Sequence, residues 1–258
     1  MGFYGKTFVW DSVPSETYNL YVTNFDTGRK DSSGGAGVEI FNQQIYRRPV
    51  PYFYGVSQTP VLSFPLTISS PLPIDGATRT IIESWLFGTL SYKKLQIMQC
   101  DLDTAYFNAF LTDPIAIYTG NLNYGYECTV VCDAPWAWEF ARTLTKSSAT
   151  AFSFYNLSAN NDYLYPSISF TTSSVGNSMS ITNTSDASRI FSFTAISPLE
   201  TITVDNDKKI ITSSTGLYRL SKFNKKWFRF VPGLNNLTMT GLITNLSITY
   251  QFAKKVGG

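Results

Sequence analysis

Six prolines fall between residues 49 and 73, at Pro49, Pro51, Pro60, Pro65, Pro71 and Pro73. Proline lacks the amide donor a helix needs and clashes with the preceding turn, so this stretch is barred from helix and left to extended chain. Its apolar residues alternate accordingly. Leu62, Phe64, Leu66 and Ile68 share one face, against Val61, Ser63 and Pro65 on the other. Period two also runs through the N-terminal segment, where Phe8 and Trp10 share a face, then Tyr18, Leu20 and Val22, with a turn expected at Pro14-Ser15. A chain patterned this way folds mainly as β-sheet.

One segment breaks the pattern. From Thr78 to Phe87, Ile81, Ile82, Trp85 and Leu86 fall on one face at helical spacing, and Gly88 is placed to stop the helix. Strand signals resume at Lys94–Cys100, around Ala105–Ala109, at Ile115–Tyr118 and at Tyr124–Cys132. Periodicity then fails over Asp133-Ala134-Pro135-Trp136-Ala137-Trp138. A domain boundary is expected just beyond, giving residues 1–140 and 141–258. The second part reads as short Ser/Thr-alternating strands: 167–171, 179–182, 190–193, 202–204, 210–211, 227–231, 237–240 and 246–252. Asp205-Asn206-Asp207 and Pro232-Gly233 supply turns, and the spacing predicts a β-sandwich. Residues 26–37 form a polar, glycine-rich loop whose glycines lack the spacing of a phosphate-binding loop, so an arm or hairpin tip is expected there.

Composition narrows the chemistry. The chain contains no histidine, which removes the commonest general base, metal ligand and pH switch together. Its cysteines, Cys100, Cys128 and Cys132, are odd in number and read as reduced and buried. The close acid pairs, Asp101/Asp103 and Asp205/Asp207, read as turn residues rather than a catalytic dyad. No catalytic, cofactor-binding or metal-binding residue is assigned, no cofactor is expected, and the protein reads as a non-enzyme. Four sequons, at Asn156, Asn183, Asn236 and Asn245, follow from an Asn/Ser/Thr-rich composition, because no signal peptide is read at the N-terminus. No run approaches the roughly 18 apolar residues of a membrane span, so no membrane insertion is expected.

Charged residues make up 15% of the chain, below the roughly 25% usual for soluble domains, while aromatics make up 16%. Interface cores are enriched in aromatics and depleted in Lys, Glu and Asp, so this balance is compatible with burial against other subunits, although composition alone favours a β-sandwich with a neutral surface over an oligomer. The net charge of +2 gives no global attraction for nucleic acid. The basic doublets Arg29-Lys30, Arg47-Arg48, Lys93-Lys94, Lys208-Lys209, Lys225-Lys226 and Lys254-Lys255 are scattered and read as charges that guard strand ends. A carbohydrate-binding β-sandwich is the alternative reading, with Trp227 or Tyr218 as stacking platforms.

Several stretches, taken in order, resemble the distal tail (Dit) protein family of siphophages. In the first half these are Gly55-Val56-Ser57 leading into Leu62–Leu66, the helix closing at Trp85-Leu86, the Leu95 strand, Tyr106 with Ala109, and the Cys132–Trp136 exit. In the second they are Ser180-Ile181-Thr182-Asn183, Ile202-Thr203-Val204-Asp205, the Ser213–Gly216 turn, and Phe230–Leu237. The resemblance implies an N-terminal β-rich ring domain with one helix and a C-terminal galectin-like β-sandwich, and leaves open whether the last strand returns to the first domain. It implies a hexameric ring at the tail tip of the virion, assembled in the host cytoplasm. The implied partners are further copies of the chain, the tail tube protein, the tape measure protein, and a tail-associated hub, fibre or receptor-binding protein. DNA would pass the lumen without sequence-specific binding.

Overall fold

In the computed structural model, residues 7–23, 38–58, 61–99, 102–147, 150–241 and 243–256 are described, so the 26–37 loop, Cys100, Asp101 and Arg29-Lys30 lie outside them. The chain divides into two compact units, Met1–Glu139 with Lys254–Gly258, and Phe140–Ala253. The fold is mainly β, with one α-helix among the described residues.

The first unit contains strands β1 (Phe8–Trp10), β2 (Val13–Pro14), β3 (Tyr21–Val22), β4 (Val38–Gln43), β5 (Tyr52–Gln58), β6 (Ser63–Ile74), β7 (Lys93–Ile97), β8 (Ala105–Thr119), β9 (Leu122–Cys132) and β10 (Ala137–Glu139), with helix α1 (Gly76–Phe87) between β6 and β7. Its main sheet runs β2-β1-β7-β8-β9-β6-β3, and β10 pairs with β8. The alternation read from residue 61 onward is what buries β6: Phe64, Leu66 and Ile68 enter the core while Ser63 and Pro65 stay outside it. Cys132 N donates to Leu62 O, which fixes the phase of the β6–β9 ladder. Pro65 therefore turns its missing donor away from β9, and β3, which pairs only at Ile68 and Ser69, does not reach it. A proline inside a long strand thus costs no ladder bond.

Helix α1 begins at Gly76, two residues before the sequence signal. Asp75 caps it, its Oδ1 accepting from Ala77 N at 2.9 Å and Thr78 N at 3.1 Å. A carboxylate here satisfies donors that the first turn leaves open. Ile82 and Leu86 are fully buried and Trp85 is half-buried, but Ile81 is 52% exposed and does not belong to the core face. Gly88 ends the helix without a left-handed backbone (φ −81°). Its hydrogen is needed because a Cβ would come 2.5 Å from Ser84 O.

Four further expectations need correcting in this unit. The N-terminal turn is Asp11-Ser12, both at positive φ, and Val13–Pro14 pairs back on β1 rather than turning. Ser15–Tyr18 forms a 3-10 turn, so Tyr18 does not continue a strand with Leu20 and Val22. The two segments near 105–109 and 115–118 are one strand, β8, in which Asp113-Pro114 forms a bulge against β9 between Thr112 and Ile115. The Trp136–Trp138 region re-enters the sheet as β10, with Trp138 opposite Tyr106.

The second unit stacks two sheets. Its strands are β11 (Arg142–Lys146), β12 (Ala151–Asn156), β13 (Ser167–Thr172), β14 (Asn177–Asn183), β15 (Arg189–Ile196), β16 (Thr201–Asp205), β17 (Ile210–Ser213), β18 (Gly233–Gly241) and β19 (Ile243–Tyr250). One sheet has the order β11-β19-β13-β16-β17 and the other β12-β18-β14-β15. Their inner faces share one core, built on Phe170, Ile181, Phe191, Phe193, Phe230 and Ile248. Residues 227–231 are not the expected strand. Phe230 makes a single bridge to Leu164, and Phe228 and Phe230 insert their rings edge to face at 5.0 Å. Strand β18 instead starts at Gly233, inside the expected turn. Beyond the sandwich, Val256 is buried in the first unit's core.

Candidate interaction surface

Strands β4 and β5 form a hairpin that pairs with no other strand among the described residues. Pairing runs from Val38 opposite Gln58 to Gln43 opposite Tyr52. It is interrupted by a bulge: Phe41 faces Gly55 and Asn42 faces Phe53, leaving Tyr54 as the extra residue. The Tyr54 hydroxyl donates to Gln43 Oε1 at 3.0 Å across the bulge. The connecting loop is closed by Arg48 N donating to Ile45 O at 3.0 Å and by the Gln44 side-chain amide donating to Arg48 O. Both arginines of the tip lie on aromatic rings, Arg48 at 3.8 Å from the Tyr52 centroid and Arg47 at 5.3 Å from that of Tyr46.

The hairpin is apolar on its surface. Tyr46 is 86% exposed, Phe53 and Tyr54 67% each, with Ile40, Phe41, Val50 and Tyr52 also exposed. An isolated two-stranded ribbon is marginally stable in water, and clustered exposed aromatics mark a contact surface rather than a solvated one. A second apolar patch lies at the far ends of β6, β8 and β9, where Leu72, Ile115, Tyr118 and Leu122 are exposed. That end is braced against α1: Arg79 donates to Tyr118 Oη at 2.6 Å and to Glu83 at 2.7 Å, and Tyr126 Oη donates to Glu83 at 3.3 Å. Helix α1 and the adjoining ends of β8 and β9 are thereby held in one arrangement.

The residues weighed for chemistry are placed otherwise. Asp205 Oδ1 accepts from Asp207 N at 3.1 Å and Lys208 N at 3.0 Å, an Asx turn. Asp103 offers its backbone carbonyl to Gln96, and its pair mate Asp101 lies outside the described residues. Cys128 and Cys132 are buried and unbonded to one another, and burial pushes both thiols up to about 12, with Asp133 adding to the rise at Cys132. Among the described residues no three Cys, Asp or Glu side chains gather to hold a metal ion. Trp227 packs on Phe223 with centroids 4.9 Å apart, against the sandwich core, whereas Tyr218 is 77% exposed. The sequon residues Asn156 and Asn183 are buried. Each accepts a backbone N–H two residues on, from Ser158 and Ser185, and Asn183 also donates to Asn235 at 2.8 Å. Among the doublets, Lys93 pairs with Asp11 at 2.8 Å and Lys94 lies over the Tyr106 ring.

Two ion pairs, one buried and one partly buried, carry no sequence signature. Glu200 is completely enclosed. Its carboxylate accepts from Arg219 Nε at 2.8 Å, Arg219 Nη2 at 2.5 Å, Ser213 Oγ at 2.5 Å and Ser197 N at 3.0 Å. Burial alone would raise its pKa, but these donors outweigh it and hold the group down at about 2. Arg229 donates twice to Asp186, at 2.8 and 3.0 Å, and covers the Tyr163 ring at 3.7 Å.

Comparison with known proteins agrees with this architecture. Residues 3–134 match the model of a phage tail protein N-terminal domain, and residues 135–250 that of a phage tail C-terminal domain. The fold is similar to the Dit protein of phage SPP1, described as a paradigm of the hub adsorption apparatus in phages infecting Gram-positive bacteria. The TM-score is 0.70 at 13% identity, over 95% of this chain and 98% of that one. A chain of the phage p2 baseplate in its activated conformation matches with a TM-score of 0.54 at 7% identity, over 95% and 97%. No curated protein sequence matches the chain. Both halves of the sequence and the fold of the whole thus agree: the chain belongs to the phage tail proteins and has the Dit fold.

Proposed function

We propose that this protein is a structural distal tail protein: six copies close into a ring at the tail tip, and the ring joins the tail tube to the adhesion apparatus. The observation that supports the reading is the β4–β5 hairpin, whose aromatic surface is exposed in the single chain and suits a contact with a neighbouring copy better than it suits water. A closed ring gives every copy the same two contacts and leaves no hairpin uncovered. The second unit, a galectin-like sandwich, serves as the outward platform for a tail-associated hub, fibre or receptor-binding protein. The tail tube and tape measure proteins meet the ring itself. The opening passes DNA, which the scattered basic residues do not grip in a sequence-dependent way. The role is non-enzymatic, and assembly takes place in the host cytoplasm.

Negative-stain imaging of the purified protein tests the reading. Closed annular particles with six-fold averages are the expected result. Replacing Phe53 and Tyr54 together by serine should remove the rings while leaving the far-UV circular dichroism and melting of the fold in place, because both residues lie outside the core. Rings that persist in that variant would exclude the hairpin as the contact.

A further inference from the structure

The sandwich has four edge strands, and three of them are guarded. Strand β11 carries Arg142 and Lys146 at its ends. Strand β17 is short and follows Lys208-Lys209. The open side of β15 is covered by residues 223–224: Phe223 bridges Phe193, Asn224 N donates to Ser192 O at 3.1 Å, and Asn224 Nδ2 donates to Ile190 O at 2.8 Å. Charges, shortness and covering loops are the devices that keep sheet edges from pairing with other chains.

Strand β12 carries none of these devices in its own sequence, and among the described residues the charge beside it is Lys146 of β11, whose Nζ lies 5.2 Å from the Phe152 ring centroid. The strand's sequence, Ala151-Phe152-Ser153-Phe154-Tyr155-Asn156, contains no charge and no proline, and its register with β18 is unbroken over all six residues. Met239 N donates to Thr150 O at 3.0 Å, which sets the phase of the ladder. Phe152, Phe154 and Asn156 therefore bond to β18, and the backbone groups of Ala151, Ser153 and Tyr155 face away from it. The Ser153 and Tyr155 groups meet no partner among the described residues, and Ala151 O receives only the Thr150 hydroxyl at 3.3 Å.

We infer that β12 is a self-complementary edge that joins the sandwiches of two copies, antiparallel, about a two-fold axis at Ser153. Three features single out a second copy as the occupant. The axis sets Ser153 opposite Ser153 and Ala151 opposite Tyr155, so every hydrogen-bonded pair it forms is between residues whose backbone groups are turned outward. The strand itself is neutral, so its own residues set no like charges against each other across the axis. Its outer face also holds a hollow of about 220 Å³ lined by Ala151, Phe152, Ser153, Asn236, Leu237 and Thr238. Tyr155, 58% exposed and on the same face as Ala151, is the side chain that the axis brings over that hollow from the partner. The joining of sandwiches is separate from ring closure through the hairpin.

The full-length chain tests this by mass in solution. The wild type should have twice the mass of Ser153→Lys, which sets two ammonium groups face to face on the axis. Tyr155→Ala should weaken the joining without touching the backbone. In a Cys100→Ser background, Ser153→Cys should form an intermolecular disulfide on mild oxidation, since facing Cα atoms in such a pair lie about 5.5 Å apart. Ser153 and Tyr155 are both exposed, so unchanged melting of the variants separates lost pairing from lost fold. Equal masses for the wild type and Ser153→Lys, or a Ser153→Cys protein that stays uncrosslinked, overturns the proposal. An edge that takes an extended segment of some different protein would also leave the two masses equal. Hairpin variants remove the rings and edge variants change only whether two assemblies are joined, so the two readings fail independently.

Discussion

Trp10 and Trp85 show how single residues tie this fold together. Each indole N–H donates to the other residue's backbone carbonyl, at 3.0 and 3.3 Å, so the first strand and the only described helix are fixed by a reciprocal pair. Glu200 does similar work in the sandwich, binding the 197–200 loop, the end of β17, Thr215 and Arg219 through five donors. Replacing Glu200 by Gln leaves the Arg219 charge buried without its counter-ion, and a loss of about 3–5 kcal/mol is expected in urea denaturation. The pH dependence has a definite sign. The folded pKa lies below the usual 4.5, so the stabilisation is complete above that value and is lost as the pH falls toward about 2. Melting temperatures between pH 5 and 2.5 should fall less steeply in Glu200→Gln than in the wild type.

At the scale of elements, α1 is held by Ile82 and Leu86, and Leu86→Ala should cost about 2–5 kcal/mol with little change in helix content elsewhere. The alternation of Phe64, Leu66 and Ile68 made β6 legible in the sequence because one face of that strand is buried and the other is not. Ile81 was misassigned for the converse reason: a helix lying on a sheet buries a narrow stripe, and Ile81 falls just beyond it. Residues 227–231 carry strand-like composition, yet Phe228 and Phe230 are plugs between the sheets, and only tertiary contact distinguishes a plug from a strand. The Asp113-Pro114 bulge read as a break between two strands because proline and a positive-φ aspartate are also the marks of a turn. Glu200 and Arg219 stand 19 residues apart in ordinary polar sequence, so nothing local announces their pairing. The hairpin surface was visible only as an excess of aromatics over charge; which of them are exposed depended on β4 and β5 pairing with each other alone.

For the whole molecule, two compact units share a chain whose last described residues return to the first. The first unit combines a wide sheet, one braced helix and an uncovered aromatic ribbon. The second is a sandwich with hydroxyl-rich outer strands. Such a division suits a part that builds a scaffold with one half and presents a platform with the other. Matching of both halves to phage tail domains places the protein among phage tail proteins, and the exposed hairpin is the surface that the proposed ring would cover. Native mass spectrometry tests the claim most directly, on the wild type and on the protein with Phe53 and Tyr54 both changed to serine. The account predicts a mass corresponding to a multiple of six 28.8 kDa chains for the wild type and its collapse to smaller species in the variant. A wild-type protein that is monomeric at high concentration, or a variant that keeps the wild-type mass, would contradict it.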